Sequence, residues 1–183
     1  MAQVGDIGVN AFSVICYVAS FSVAVFYGAA QGLQPLFGQS FGAKKEQDLK
    51  YYFRAGMLIS LIGSAIIVLL LCLCCGGICA LFGTDAQTLD FTVWALPQYA
   101  WGFLFMALNT MISSYLYSTK RSQQAILINV LRSFAVNTLI ILLLPALFGA
   151  RIIWYTFGIY EALVLIAAWA LLKHSERNGI FPA

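Results

Sequence analysis

The chain has 183 residues, of which 62% are hydrophobic and only 9% are charged, and it carries a formal net charge of +3. A soluble domain has roughly 25% charged residues, so this composition excludes a soluble globular protein and indicates an integral membrane protein. Apart from one Arg within an apolar segment, Lys and Arg lie beside the apolar segments, which disfavours a nucleic-acid-binding protein.

The first apolar segment extends from about residue 7 to residue 37. It exceeds the roughly 20 residues that cross a bilayer, so we predict a transmembrane helix. Gln31 and Gln34 share one helical face, which we expect to point at protein or water. Candidate gating or hinge residues near the end of the segment are Gly28, Gly32 and Pro35. The two glycines equally suit close packing between helices, and both interpretations stay open.

Residues 43–54 are polar, with apolar insertions at Leu49, Tyr52 and Phe53. This pattern is typical of a short amphipathic helix that lies in the membrane surface. We therefore predict a cytoplasmic linker here.

The second segment covers residues 55–75 and is expected to end at Gly76 and Gly77. Beyond it, Thr84 and Gln87 have the spacing of a capping box for the next helix. Four of the five cysteines crowd into the end of this segment, where thiols pack as small hydrophobic groups. A reactive or disulfide-forming Cys79, nearest the water, is the alternative.

The third segment covers about residues 89–119 and contains Pro97. Proline removes one backbone hydrogen bond, so we expect a kink about one turn before it and count it as a fourth candidate hinge. Asn109, Ser113 and Tyr117 lie four residues apart and predict a polar stripe inside the bundle.

The fourth and fifth segments, residues 125–147 and 152–172, each hold one ionisable residue far from water. Arg132 lies about ten residues, or roughly 15 Å, beyond the preceding loop, and Glu161 has a similar depth in the antiparallel segment. A charge near mid-membrane is costly without a partner, so the two are expected to pair. Either the two residues form a static bridge or hold separate polar partners, or Glu161 is a protonatable carboxylate whose state is coupled to movement.

Two asparagines accompany Arg132 on the fourth segment. Asn129 and Asn137, with Ser133 between them, recur at spacings of four residues. They predict a polar stripe around Arg132.

The distribution of basic residues predicts the topology. Eight of the ten basic residues fall at alternate ends of the segments: Lys44, Lys45, Lys50, Arg54, Lys120, Arg121, Lys173 and Arg177. These ends are expected to be cytoplasmic, whereas Arg151 belongs to an outer turn. The prediction is an all-α membrane bundle of about five spans, with its amino terminus outside and its carboxyl terminus in the cytoplasm.

Four stretches resemble the multidrug and toxic compound extrusion (MATE) transporters in order and spacing. Residues 28–45, GAAQGLQPLFGQSFGAKK, resemble a signature of the eighth helix of that family, and Leu131–Ser133, Leu144–Gly149 and Trp154–Glu161 resemble motifs of the eleventh and twelfth helices. The resemblance implies a partial carboxyl-terminal lobe, helices eight to twelve of a twelve-helix, two-lobed fold. The amino-terminal lobe and helix seven would belong to the same longer chain or to a second subunit.

The resemblance implies multidrug efflux by secondary antiport in the inner (plasma) membrane. Amphipathic, drug-like organic cations would leave in exchange for H⁺ or Na⁺. Candidate substrate or coupling-ion residues are Glu161, Arg132, Asn129, Asn137, Gln34 and Asn109. The tenth-helix carboxylate of some MATE subgroups has no counterpart, because the matching region holds Met106 and Asn109 instead of an acid.

Two alternatives remain. A lipid-linked oligosaccharide flippase shares the superfamily architecture, but a groove rich in Arg would favour it and only one Arg lies within a span. A non-transporting scaffold or fragment is the other alternative. An enzyme is not expected, since the single His174 lies in the polar tail and no metal-ligand spacing or catalytic set is present; we expect no metal and no cofactor.

Overall fold

The computed structural model describes residues 5–177, and the last six residues of the polar tail lie outside the described residues. Within the described range five helical segments are long and apolar enough to cross a membrane, which confirms the predicted all-α membrane bundle. The α-helices in chain order are α1 (Gly5–Gly42), α2 (Glu46–Leu73), α3 (Cys75–Leu81), α4 (Ala86–Ala100), α5 (Gly102–Ser118), α6 (Ser122–Val130), α7 (Val136–Phe148) and α8 (Ile153–Arg177). A π-helix, Leu131–Ala135, joins α6 to α7, and a 3₁₀ turn, Ala150–Ile152, joins α7 to α8.

The helix α5 lies at the centre of the bundle and packs against α1, α2, α6 and α8. Most of its residues are buried, as expected of a helix that is enclosed on all sides. The outer helices instead expose large apolar side chains such as Leu142 and Phe134, which suits contact with lipid. The central position of α5 makes Asn109 and Ser113 of the predicted stripe interior groups, whereas its third member, Tyr117, is exposed.

Two apolar clusters fill the bundle, one towards each end. One includes Phe26, Phe103, Trp154 and Phe157, and the other includes Phe37 and Tyr115 among its buried members. Along α5 the first cluster ends at Ala107 and the second begins at Met111. Asn109 and Thr110 therefore form a polar layer between two apolar ones.

The predicted surface helix over residues 43–54 is wrong as a separate element. The helix α2 begins at Glu46 and continues to Leu73 without interruption. Leu49 is fully buried, and Phe53 packs against Tyr115 with ring centroids 4.5 Å apart. These two apolar residues thus pack against protein rather than lipid. Packing against protein explains the apolar spacing as well as a position in the membrane surface does.

Three local predictions after the second segment are also wrong. Gly76 and Gly77 do not end the helical structure there but belong to α3, because the interruption falls at Cys74. Cys79, which was expected nearest the water, is completely buried where α3 packs against α4. The side chain that caps α4 is that of Asp85, which accepts a hydrogen bond from the backbone N–H of Thr88 at 2.9 Å.

The irregularity near Pro97 lies on the other side of the proline from the predicted kink. The helical segment is interrupted at Trp101, between α4 and α5, and not one turn before Pro97. Here α5 and α8 lie close together: a Cβ added to Gly102 would lie 2.9 Å from the Cα of Gly158 and would overlap the ring of Phe157. The close crossing of two glycines marks the interruption.

Gly28 and Gly32 make no close contact in the described part of the chain, since a Cβ added to either would meet nothing within 4 Å. Within residues 5–177, no helix packing requires these glycines. Both, with Pro35, lie inside the continuous α1. Their role as a hinge stays a prediction.

We expect Gly102→Ala to destabilise the bundle by about 1–3 kcal/mol, because the added methyl group meets backbone that cannot rotate away. The midpoint of thermal unfolding, followed by circular dichroism in detergent, measures the effect. Gly63→Ala is the matched control, since the space around Gly63 is open to 4 Å and its midpoint should not fall. Equal midpoints for the two variants would contradict the close crossing.

Candidate functional site

The two intramembrane ionisable residues form a buried ion pair. Nε of Arg132 donates a hydrogen bond to Oε1 of Glu161 at 2.6 Å. The side chain of Arg132 is 10% exposed and that of Glu161 is 1% exposed. The pairing predicted from their matching depths is therefore present in the structure, as a direct contact.

Two neighbours on α5 complete the ion pair. Nδ2 of Asn109 donates to Oε2 of Glu161 at 2.8 Å and to its backbone carbonyl at 2.9 Å. Oγ1 of Thr110 accepts a hydrogen bond from Nη1 of Arg132 at 3.3 Å and donates its own proton to the carbonyl of Met106. Both oxygens of the carboxylate are thus bonded. These contacts join α5, α8 and the π-helix between α6 and α7 at one level of the membrane.

The π-helix sets the position of Arg132. The backbone N–H of Val136 donates to the carbonyl of Leu131, five residues back, instead of four as in an α-helix. Such a widened turn rotates the side chains on either side of it relative to a regular helix, and it occurs often at functional sites. The helical periodicity of the sequence gives no sign of it.

A cavity of about 290 Å³ adjoins the ion pair. Arg132 and Glu161 lie on its wall together with Asn129. Its aromatic lining is contributed by α1, α4, α5 and α8: Tyr27, Tyr99, Phe103, Phe157 and Tyr160. Because it combines aromatic rings with a charged pair, this space suits an amphipathic molecule.

The structure brings four of the six predicted site residues to this cavity or the ion pair and leaves two elsewhere. Asn129 lines the cavity and also donates to the hydroxyl of Tyr117 at 3.3 Å. Asn137 lines a separate cavity of about 370 Å³ beside Trp154, and Gln34 lines neither space. The expected stripe of Asn129 and Asn137 around Arg132 is therefore divided between two cavities.

Sequence reasoning missed Thr110 and the tyrosines of the cavity. Thr110 follows Asn109 directly, so it does not share the four-residue spacing that predicted the polar stripe of α5. No spacing in the sequence distinguishes Tyr99 or Tyr160 from other aromatic residues of an apolar segment. Among residues 5–177, no group of three or more His, Cys, Asp or Glu side chains is placed to hold a metal ion.

Comparison with known proteins supplies a family and a fold. A family model described as MatE matches residues 1–143. An outward-facing multidrug resistance MATE family transporter of the MOP superfamily aligns with a TM-score of 0.85 at 15% identity, over 95% of this chain and 40% of that one. The bent form of the Vibrio cholerae MATE transporter VcmN aligns with a TM-score of 0.86 at 18% identity, over 100% and 42%. No curated protein sequence matches the chain.

The chain thus spans about two fifths of the length of both solved transporters. At these identities the structural matches show the shared fold, while the sequence match covers Arg132 and Asn109 but ends before Glu161. The resemblance to MATE transporters noted in the sequence is confirmed.

We expect Arg132→Met to lower the free energy of unfolding by about 3–5 kcal/mol, because it leaves the Glu161 carboxylate buried without a cation. The double variant Arg132→Met/Glu161→Leu should recover most of this loss, since no charge then remains in the interior. Unfolding by titration with sodium dodecyl sulfate measures both.

Arg151→Met is the control, because Arg151 is exposed and belongs to the turn before α8. It should leave the unfolding curve unchanged. A double variant no more stable than Arg132→Met alone would show that the two side chains are not coupled.

Proposed function

Because the chain belongs to the MatE family, we propose that it forms part of a secondary transporter that exports amphipathic organic compounds in exchange for H⁺ or Na⁺. The observation that carries the proposal is the ion pair of Arg132 and Glu161 beside an aromatic cavity. Ionisable residues within transmembrane segments are rare and commonly mark ion or substrate pathways.

The ion pair can couple protonation to movement of the helices. With Glu161 ionised, its charge and that of Arg132 cancel, and the hydrogen bonds join three membrane-crossing segments. A proton on Glu161 removes the attraction for Arg132 and leaves a buried cation without a counter-charge. The protonated bundle is therefore expected to favour a different arrangement around Arg132, which is what coupled transport requires.

The surroundings of Glu161 favour H⁺ over Na⁺ as the coupling ion. Both carboxylate oxygens already accept hydrogen bonds from side chains, and the side chain is 1% exposed. A proton needs no additional ligands, whereas a metal cation needs several oxygen atoms around it. Glu161 is the single carboxylate on the cavity wall in the described residues.

The substrate class and the membrane orientation follow from the resemblance and from the charges. We propose amphipathic organic cations as substrates, the class that the resemblance implies, with Asn129 and Asn109 as polar residues at the site. The basic ends of the spans are proposed to face the cytoplasm of a plasma membrane, which places the start of α1 outside. The amino-terminal lobe and the helix before α1 are proposed to come from the same longer chain or from a second subunit.

Transport is tested in liposomes that contain the protein in the form made by the cell. An imposed pH gradient is expected to drive movement of the fluorescent cation ethidium, and Glu161→Gln should abolish the dependence on that gradient, because the side chain can no longer bind and release a proton. Fluorescence of ethidium bound to enclosed DNA measures the rate.

The exposed carboxylate of Asp90 provides the matched control: Asp90→Asn should transport at the wild-type rate. Unchanged pH dependence in Glu161→Gln would exclude this residue as the coupling group. Absence of any gradient-driven movement by the wild-type protein would instead favour a non-transporting membrane protein.

A further inference from the structure

The two charges of the ion pair differ in what a molecule in the cavity can reach. Glu161 is 1% exposed, and each of its carboxylate oxygens accepts a hydrogen bond from a protein side chain. Arg132 is 10% exposed. The accessible charge on the cavity wall is therefore positive, although the net charge of the pair is zero.

The guanidinium group of Arg132 also has hydrogen-bonding capacity to spare. Arginine carries five N–H donors. Nε is bonded to Glu161 and Nη1 to Thr110, whereas Nη2 bonds to none of the described residues. Nη2 is also not among the fully enclosed polar atoms that lack a partner, so it is partly accessible, and Arg132 is one of the residues that line the cavity.

We propose that this cavity binds the carboxylate group of an aromatic organic anion through Arg132. Guanidinium and carboxylate form strong, charge-assisted hydrogen bonds, and Arg is suited to them by its planar shape. The rings of Tyr27, Tyr99 and Tyr160 line the same 290 Å³ space and supply apolar surface for an aromatic body. The lining thus offers a cationic group at one point and aromatic rings around it.

The depth of the site indicates a small molecule rather than a phospholipid headgroup. Arg132 lies ten residues beyond the start of α6 at Ser122, which corresponds to roughly 15 Å along the helix. A headgroup in the membrane surface does not reach that level. The inference concerns binding to this chain and does not depend on antiport; if the transported compounds are cations, the anion is a second ligand.

Binding of 2-naphthoate to the 183-residue chain in phosphatidylcholine nanodiscs tests the proposal. Two compounds of the same shape serve as comparisons: 2-naphthamide, which is neutral, and 2-naphthylmethylammonium, which is a cation. Saturable changes in naphthalene fluorescence, corrected with empty nanodiscs, give the dissociation constants. We expect 2-naphthoate to bind at least about tenfold more tightly than the amide, as for a hydrogen bond to a charged group.

The variants separate Arg132 from Glu161. Glu161→Gln should bind 2-naphthoate more tightly than the wild type, because Arg132 then lacks its internal counter-charge and the carboxylate of the ligand supplies one. Arg132→Met/Glu161→Leu should bind 2-naphthoate and the amide equally, and it leaves no uncompensated charge that would prevent folding. The control Arg151→Met should keep the wild-type preference.

Binding of 2-naphthoate no tighter than that of the neutral amide by the wild-type chain would overturn the proposal. So would an undiminished preference for 2-naphthoate in the double variant. Failure of this proposal and failure of the proposed antiport can be told apart. Glu161→Gln is expected to lose gradient-driven transport and yet to bind 2-naphthoate, so the transport experiment and the binding experiment can fail independently.

Discussion

The ion pair between Arg132 and Glu161 is the constraint on which the rest of this bundle depends. Placing an unpaired charge at the centre of a membrane costs about 2.5–3.5 kcal/mol or more. The 2.6 Å contact offsets that cost only while the two helices stay in register. Asn109 bonds the second carboxylate oxygen and Thr110 bonds Nη1 of Arg132, so four side chains from three membrane-crossing segments hold one another in place.

The apolar packing of the bundle is arranged around the polar layer that Asn109 and Thr110 form. Apolar clusters lie on both sides of Asn109 and Thr110 along α5, which keeps water from the pair except through the adjoining cavity. Towards the first cluster, Gly102 and Gly158 let α5 and α8 approach closely, and this approach keeps Glu161 within reach of Asn109. Small residues and polar residues thus cooperate, as is common where lipid provides no hydrophobic force between helices.

The ion pair of Arg132 and Glu161 holds the helices together and also contains the group whose charge can change. The ion pair joins three membrane-crossing segments, yet its strength depends on a single ionisable carboxylate, so the contact depends on the charge state of Glu161. Both residues lie on the cavity wall, and Arg132 is the more exposed of the two. In the proposed transporter, a ligand would act on this pair through Arg132 and a proton would act on it through Glu161.

The sequence by itself determined the class of the protein, its five membrane-crossing helices and the depth at which Arg132 and Glu161 lie, because hydrophobicity and residue counts along a helix are local properties. The same reasoning indicated Asn109 as an interior polar residue. Local patterns could not show that residues 46–54 continue into α2, since Leu49 and Phe53 suit a lipid surface and a protein surface equally. Nor could they reveal the π-helix, the bond from Thr110, the assignment of Asn137 to another cavity or the accessible edge of Arg132. Tertiary structure decided these, because each depends on which helix lies opposite and at what angle, and residues far apart in the sequence set that geometry together.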